Sequence, residues 1–283
     1  MFKQIHKLVW AFDAEWMPNP TAGRLLYDLP EDADDQEVME AMWLKGGATE
    51  ENPRPFLKTI LCRMLSIAAV QRHQHADGKV TLTLLSLPRD PNAPHDEKEM
   101  VWRFLNAIGE RHPQLVGYNS LAADLRILVQ RGICLGIQAP RFALRPNKPW
   151  EGVDYFAKGS DWHIDLRDYA TPGWGSGTPS LHELAVLSGI PGKMDASGED
   201  VPRMWLEGQL DRIIAYNERD ALTTYLVWLR MAHFGGLFNP ETYLLEQQRL
   251  REMIVAESAH KPHLHAYLAA WERLSPELFR AEG

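Results

Sequence analysis

The stretch Leu8–Trp16, LVWAFDAEW, decides the reading of the fold. Its first five residues, LVWAF, are a short apolar run that predicts a buried strand ending at Asp13. Successive side chains of a strand point to opposite faces, so Asp13 and Glu15 project from the same face at that strand's end. Two convergent carboxylates are hard oxygen ligands, suited to Mg²⁺ or Mn²⁺ rather than zinc. The same D-x-E pattern also fits a plain solvated strand end.

Working outward, Leu65–Val70 and Val80–Leu87 predict two further strands, joined through a turn at Asp77–Gly78 as in a hairpin. Asp96–His112 reads as a helix. Asp96 and Glu99 have the spacing of a capping box, and Val101, Phe104, Leu105 and Ile108 form an apolar stripe. Leu115–Tyr118 predicts a strand, Leu121–Arg131 a helix, and Trp162–Leu166 a last strand. Ser180 and Glu183 cap a helix through Leu187, and the longest helix runs from Leu210 to His233. This order predicts an α/β domain, a mixed sheet flanked by helices. The domain spans residues 1–237, with a Pro-rich, acidic insertion or lid at Met17–Lys58. A polar, helical extension follows at 238–283.

At 283 residues the chain has room for one large or two small domains. Cys62 and Cys134 form no C-x-x-C pair, which argues against a disulfide framework or a thiolate zinc site. The N-terminus lacks an apolar run of signal-peptide length, and nothing reaches the roughly 18 apolar residues of a membrane span. A cytoplasmic protein with no membrane contact is expected. The net charge of −8 argues against a strong, sequence-independent grip on nucleic acid, but its distribution changes that argument. Eight acidic residues and one lysine lie between Glu31 and Glu51, a local −7. Leu125–Lys148 instead carries Arg126, Arg131, Arg141, Arg145 and Lys148 with no acid, which is either a basic face or a set of scattered solvated side chains.

Three further signals are weak one by one. Tyr216 and Asp220 share a face of the longest helix. Asp124 stands in the first turn of its own helix, where the dipole favours an acid in any case. Asn119 precedes Asp124 by five residues in LVGYNSLAADLRIL. In their order along the chain, FDAEW, GYN…DLRIL and YNERDA resemble the DEDD exonuclease superfamily in its tyrosine-bearing subclass. The wording is most similar to the proofreading exonuclease domain of family-B DNA polymerases. The likeness covers about Leu8 to Met231, and no polymerase fits in the remainder.

The resemblance implies a ribonuclease-H-like fold and a stand-alone 3′→5′ exonuclease acting on nucleic acid, DNA more than RNA. It also implies two-metal hydrolysis with Mg²⁺ or Mn²⁺. Asp13 would bridge both ions. Glu15 and Asp220 would complete the site of the water-activating ion, and Asp124 would hold the second. Tyr216 would orient the attacking water, since a phenol of pKa about 10 is a poor base at neutral pH. Asn119 and Trp16 would contact substrate. Trp16 replaces a usual Thr and Ala123 a usual aromatic, which bears on substrate length and strandedness. An RNA-trimming enzyme and a catalytically silent binding module are the alternatives. A dehalogenase-type phosphatase is disfavoured, because it needs a second Asp where Glu15 stands.

Several other signals have bland readings. His163 and Asp165 fit either a contact with the site or, better, a strand with one buried, satisfied histidine. His260, His263 and His265 form an H-x-x-H-x-H cluster that reads as solvated rather than metal-binding. Arg141, Arg145, Lys148 and Trp150 line either a strand-binding groove or an ordinary loop. The glycines of Pro172–Thr178 lack the Gly-Lys-Ser/Thr of a phosphate cradle and read as a loop into the Ser180 cap.

Overall fold

The computed structural model describes residues 2–157, 159–171, 177–194 and 197–276. Strand β1 (Leu8–Pro18) leads into helices α1 (Pro20–Tyr27) and α2 (Asp35–Lys45), so the acidic segment is folded rather than structureless. Each helix begins at a side-chain cap, Asn19 accepting from the Thr21 N–H and Asp34 from the Gln36 N–H. The hairpin β2 (Cys62–Gln74) and β3 (Val80–Leu87) turns at Gly78, whose φ of +85° suits glycine. Helix α3 (Glu97–Arg111), capped by Asp96, precedes β4 (Gln114–Gly117), α4 (Asp124–Cys134) and the short α5 (Pro140–Ala143). Then come β5 (His163–Asp165), α6 (Leu166–Ala170), α7 (Leu181–Leu187), α8 (Val201–Leu206) and the 25-residue α9 (Leu210–Phe234). The capping box of Ser180 and Glu183 forms at the start of α7. Helices α10 (Pro240–Ser258) and α11 (His263–Leu274) follow. No helix among the described residues is long and apolar enough to cross a membrane.

The sheet order is β3-β2-β1-β4-β5. The β1–β2 and β2–β3 pairs are antiparallel, whereas β1–β4 and β4–β5 are parallel. This is the mixed sheet, flanked by helices, that the order of elements predicted. Several boundaries need correction: the strand expected at Leu65–Val70 runs from Cys62 to Gln74, and the helix expected at Leu121–Arg131 runs from Asp124 to Cys134. The first strand does not stop at Asp13 but continues to Pro18, because β2 supplies ladder partners along its whole length, Ala68 opposite Asp13 and Ser66 opposite Glu15. The backbone is satisfied there whatever the side chains are. On the other side, the parallel pairing with β4 covers only Val9–Ala11. Asp13 and Glu15 therefore occupy the part of β1 that outruns β4, in the kind of crevice where α/β sheets seat ligands.

Period-two alternation divides the core. Trp10, Phe12 and Ala14 pack with Phe104 of α3 and Ile127 and Leu128 of α4. Val9 and Ala11 pack on the other face against Leu222, Leu226 and Trp228 of α9. Asp13 and Glu15 continue the Val9–Ala11 row and so face α9. That helix is buried nearly all round, which is why its apolar residues do not keep to one stripe. Leu250, Ile254, Leu264, Tyr267 and Trp271 of α10 and α11 join the α9 cluster. A third cluster puts Met39 and Trp43 of α2 with Met17, Leu65 and Tyr216. The acidic segment thus turns an apolar face inward and keeps its charges outside.

Candidate active site

Asp13, Glu15 and Asp220 each offer a carboxylate oxygen within 4.8 Å of the others. Two come from one face of β1 and one from α9, which lies across that face. Asp124 approaches from the opposite direction. As first residue of α4 it is 4% exposed, and its Oδ1 accepts from the Ala14 N–H at 3.1 Å, pinning the start of α4 between the two β1 acids. Ala123 itself provides no side-chain cap, and Asp124 is tied to β1 instead.

So much buried negative charge is unfavourable without a counterion. Burial, then the Asp124, Glu15 and Asp220 charges, hold Asp13 well above the usual carboxylate range. Burial, then Asp220 and Asp124, do the same to Glu15. Burial pushes Asp124 up to about 7 and Asp220 up to about 6, with the Tyr216 hydroxyl and Lys193 pulling Asp220 partly back. Tyr216 is 6% exposed, and burial plus the surrounding acids keep its phenol protonated. It can orient a water but cannot accept a proton from one at neutral pH. The donor set is all oxygen and strongly anionic, which fits hard divalent cations.

Four supporting groups had no signal of their own in the sequence. The Asn217 side-chain amide donates to Asp13 Oδ2 at 2.7 Å, and its carbonyl accepts from the Ser66 hydroxyl at 2.9 Å. Adjacency to Tyr216 within YNERDA was the one clue to Asn217. Lys193, on the loop after α7, is exposed and lowers the pKa of both Glu15 and Asp220. Arg167 donates to Asn119 Oδ1 at 2.6 Å.

Asn119 adopts a left-handed φ of +60° and lines the same cleft as Lys193 and Asp220. Its loop is anchored from β5. Asp165 accepts from the backbone N–H groups of Asn119, Leu121 and Arg167, and His163 Nε2 lies 2.9 Å from Ser120 Oγ. Burial drives His163 down to about 4, so it is the satisfied, neutral core histidine that was expected. Trp16 is half-buried and lines a second cavity beside Trp43 and Phe56.

Other expectations need correction. The basic stretch after Leu125 is not a continuous basic face. Arg131 pairs with Glu97 at 2.7 Å, Arg145 with Asp154 at 3.0 Å and Lys148 with Glu151 at 3.0 Å. Glu97 reaches Arg131 from another helix, whereas Asp154 and Glu151 lie just downstream of Arg145 and Lys148 in the chain. His263 is not simply solvated either, since it lies 2.7 Å from Glu218, a 1% exposed carboxylate of α9 that Lys261 and Ser86 also bind. Residues 172–176 of the glycine-bearing loop lie outside the described residues.

A family model described as a predicted 3′-5′ exonuclease related to the exonuclease domain of PolB matches residues 54–271. The match contains Asp124, Tyr216 and Asp220 and begins after Asp13 and Glu15. Among solved structures, the chain is similar to the family B DNA polymerase of the hyperthermophilic archaeon Pyrobaculum calidifontis. The TM-score is 0.45 at 15% identity, over 90% of this chain and 29% of the polymerase. The chain therefore spans less than a third of that polymerase's length. No curated protein matches it.

Proposed function

The chain belongs to the family of predicted 3′-5′ exonucleases related to the exonuclease domain of PolB, and from that premise we propose that it hydrolyses the terminal phosphodiester at a nucleic-acid 3′ end. The observation that carries the reading is the meeting of Asp13, Glu15 and Asp220 oxygens within 4.8 Å. The substrate we favour is DNA, as a single strand or a 3′ overhang, with a nucleoside 5′-monophosphate as product.

Asp13, Glu15, Asp124 and Asp220 would hold two divalent ions, Mg²⁺ or Mn²⁺. Bound there, such ions supply Lewis acidity and lower the pKa of water at neutral pH. They also reverse the potential of a pocket that would otherwise repel a phosphodiester. The chain's own residues do the positioning. Tyr216 keeps its proton and orients the attacking water, and Asn217 aims Asp13. Asn119, held by Arg167, faces the substrate from the loop that Asp165 anchors.

The test uses 5′-labelled single-stranded DNA, duplex DNA with a 3′ overhang, and RNA, each with Mg²⁺, Mn²⁺ or EDTA. The expected result is a 3′→5′ ladder that EDTA abolishes and that Asp13→Ala or Asp220→Ala removes. Full activity in the Asp13→Ala protein would sink the assignment.

A further inference from the structure

The two edges of the sheet differ. β5 is only three residues long, whereas β3 pairs with β2 from Val80 to Leu87 and has no strand on its outer side. Natural edge strands are blunted by shortness, bulges, prolines or charged side chains, because an open row of N–H and C=O groups invites another chain. β3 reads VTLTLLSL, with no proline, no charge and no register shift against β2. A cavity of about 850 Å³ runs beside it, larger than the cleft of about 520 Å³ that holds Asp220. A cavity over one sheet face meets every second residue of a strand. This one meets Thr83, Leu84, Leu85 and Ser86 in succession, so it follows the open edge. The cross-strand row Asp13–Ala68–Ser86 sets Ser86 two strand spacings, about 10 Å, from the acidic site.

Ile214 and Ala215 of α9 give the cavity an apolar wall. Its charges are unevenly matched. Glu218 is already met by Lys261 and His263, each at 2.7 Å. Arg89 and Arg212 face one further acid, Asp211, and neither arginine makes an ion pair among the described residues, Arg212 donating to Gln209 Oε1 at 2.7 Å. On a chain of net charge −8, this local excess of cations selects an anionic partner.

We propose that the β3 edge binds an extended, acidic peptide segment of a partner protein, which adds a strand to the sheet. Its alternate apolar side chains would turn towards Ile214, and its carboxylates would meet Arg89 and Arg212. In this mode main-chain hydrogen bonds supply affinity and the side-chain contacts supply specificity. A phosphodiester strand fits less well. It cannot continue the ladder of N–H and C=O groups, and three Lys and Arg side chains against two acids are too small an excess to hold a polyanion. A second copy would lay its own uncharged β3 here and leave both arginines unmatched.

The probe is a fluorescein-labelled peptide of four Val-Glu repeats, added to the full chain in EDTA. Anisotropy measures binding, and hydrogen exchange reports on the amides of β3. The comparisons are a Val-Lys peptide, the Val-Glu peptide N-methylated either at its valines or at its glutamates, and an oligothymidylate. The Val-Glu peptide should bind and slow exchange within Val80–Leu87. The Arg89→Glu/Arg212→Glu protein should bind it roughly 2- to 30-fold more weakly, the scale of two exposed ion pairs. One N-methylated form should fail, since one edge of the peptide must face β3. No binding, equal binding of the Val-Lys peptide, or full binding of both N-methylated forms would overturn the proposal. Slowing of β3 exchange by the oligothymidylate alone would assign the edge to nucleic acid and overturn it too. So would self-association of the free protein, seen by sedimentation, with β3 already protected.

Discussion

Asn217 donates its side-chain N–H to Asp13 Oδ2 at 2.7 Å, while its own carbonyl is held by the Ser66 hydroxyl. The bond spans α9 and β1 and fixes which way the Asp13 carboxylate faces. Outer-shell partners of this kind typically affect metal affinity or activity about 10- to 100-fold. Asn217→Asp replaces the donor with a further charge against Asp13, and kcat and Mn²⁺ affinity should fall by about that factor. Ser66→Ala should cost less, since it removes only the orientation of the amide. Calorimetric Mn²⁺ titration and single-turnover rates check both.

Tyr216 packs among Met17, Met39, Trp43 and Leu65, so its ring is held even without its hydroxyl. Tyr216→Phe should keep metal affinity and slow hydrolysis by up to about a hundredfold, the scale of a misoriented reactant. A kcat loss with unchanged Mn²⁺ binding is the expected pattern.

The raised carboxylates make the site pH-dependent in a stated direction. A group whose folded pKa lies above its unfolded value adds stability that is complete below the unfolded pKa and lost as pH rises through the folded one. For Asp220 and Asp124 that loss falls near about 6 and about 7. Asp154, Asp200 and Glu218 are held low and act in the opposite sense, so the total against pH mixes both. The increment caused by metal isolates the site. Mn²⁺ should raise the Tm of EDTA-treated protein more at about pH 8 than at about pH 5. The Asp13→Ala protein should show little increment at either.

Asp165 satisfies three backbone N–H groups around the Asn119 turn. Asp165→Ala leaves these part-buried donors without their partner and should destabilise the fold by about 1–2 kcal/mol. Denaturant melts measure the loss, and KM should rise as Asn119 loses its fixed geometry.

The C-terminal helices are tied to the sheet by a buried ion pair. Arg72 of β2 and Glu246 of α10 meet at 2.9 Å, with side chains 3% and 1% exposed. Glu246→Ala strands the Arg72 charge and should cost roughly 3–5 kcal/mol. Replacing both residues by apolar ones of similar volume should be far milder. Urea unfolding of the single and double variants separates the two outcomes.

The local chemistry was legible in the chain before folding. Alternation in LVWAFDAEW put Asp13 and Glu15 on one strand face, the i and i+4 spacing put Tyr216 and Asp220 on one helix face, and the caps at Asp96 and Ser180 marked helix starts that form as read. These features depend on periods of two and 3.6 residues, which are visible without knowing any long-range contact. What meets across the chain came from the packing of sheet and helices. That packing ran β1 past Asp13 because β2 completes its ladder, and it placed Asn217 on Asp13 and Lys193 near Glu15. It also paired Arg131 of α4 with Glu97 of α3. Which residues lie across a cleft depends on sheet order and helix packing, and no local period encodes either.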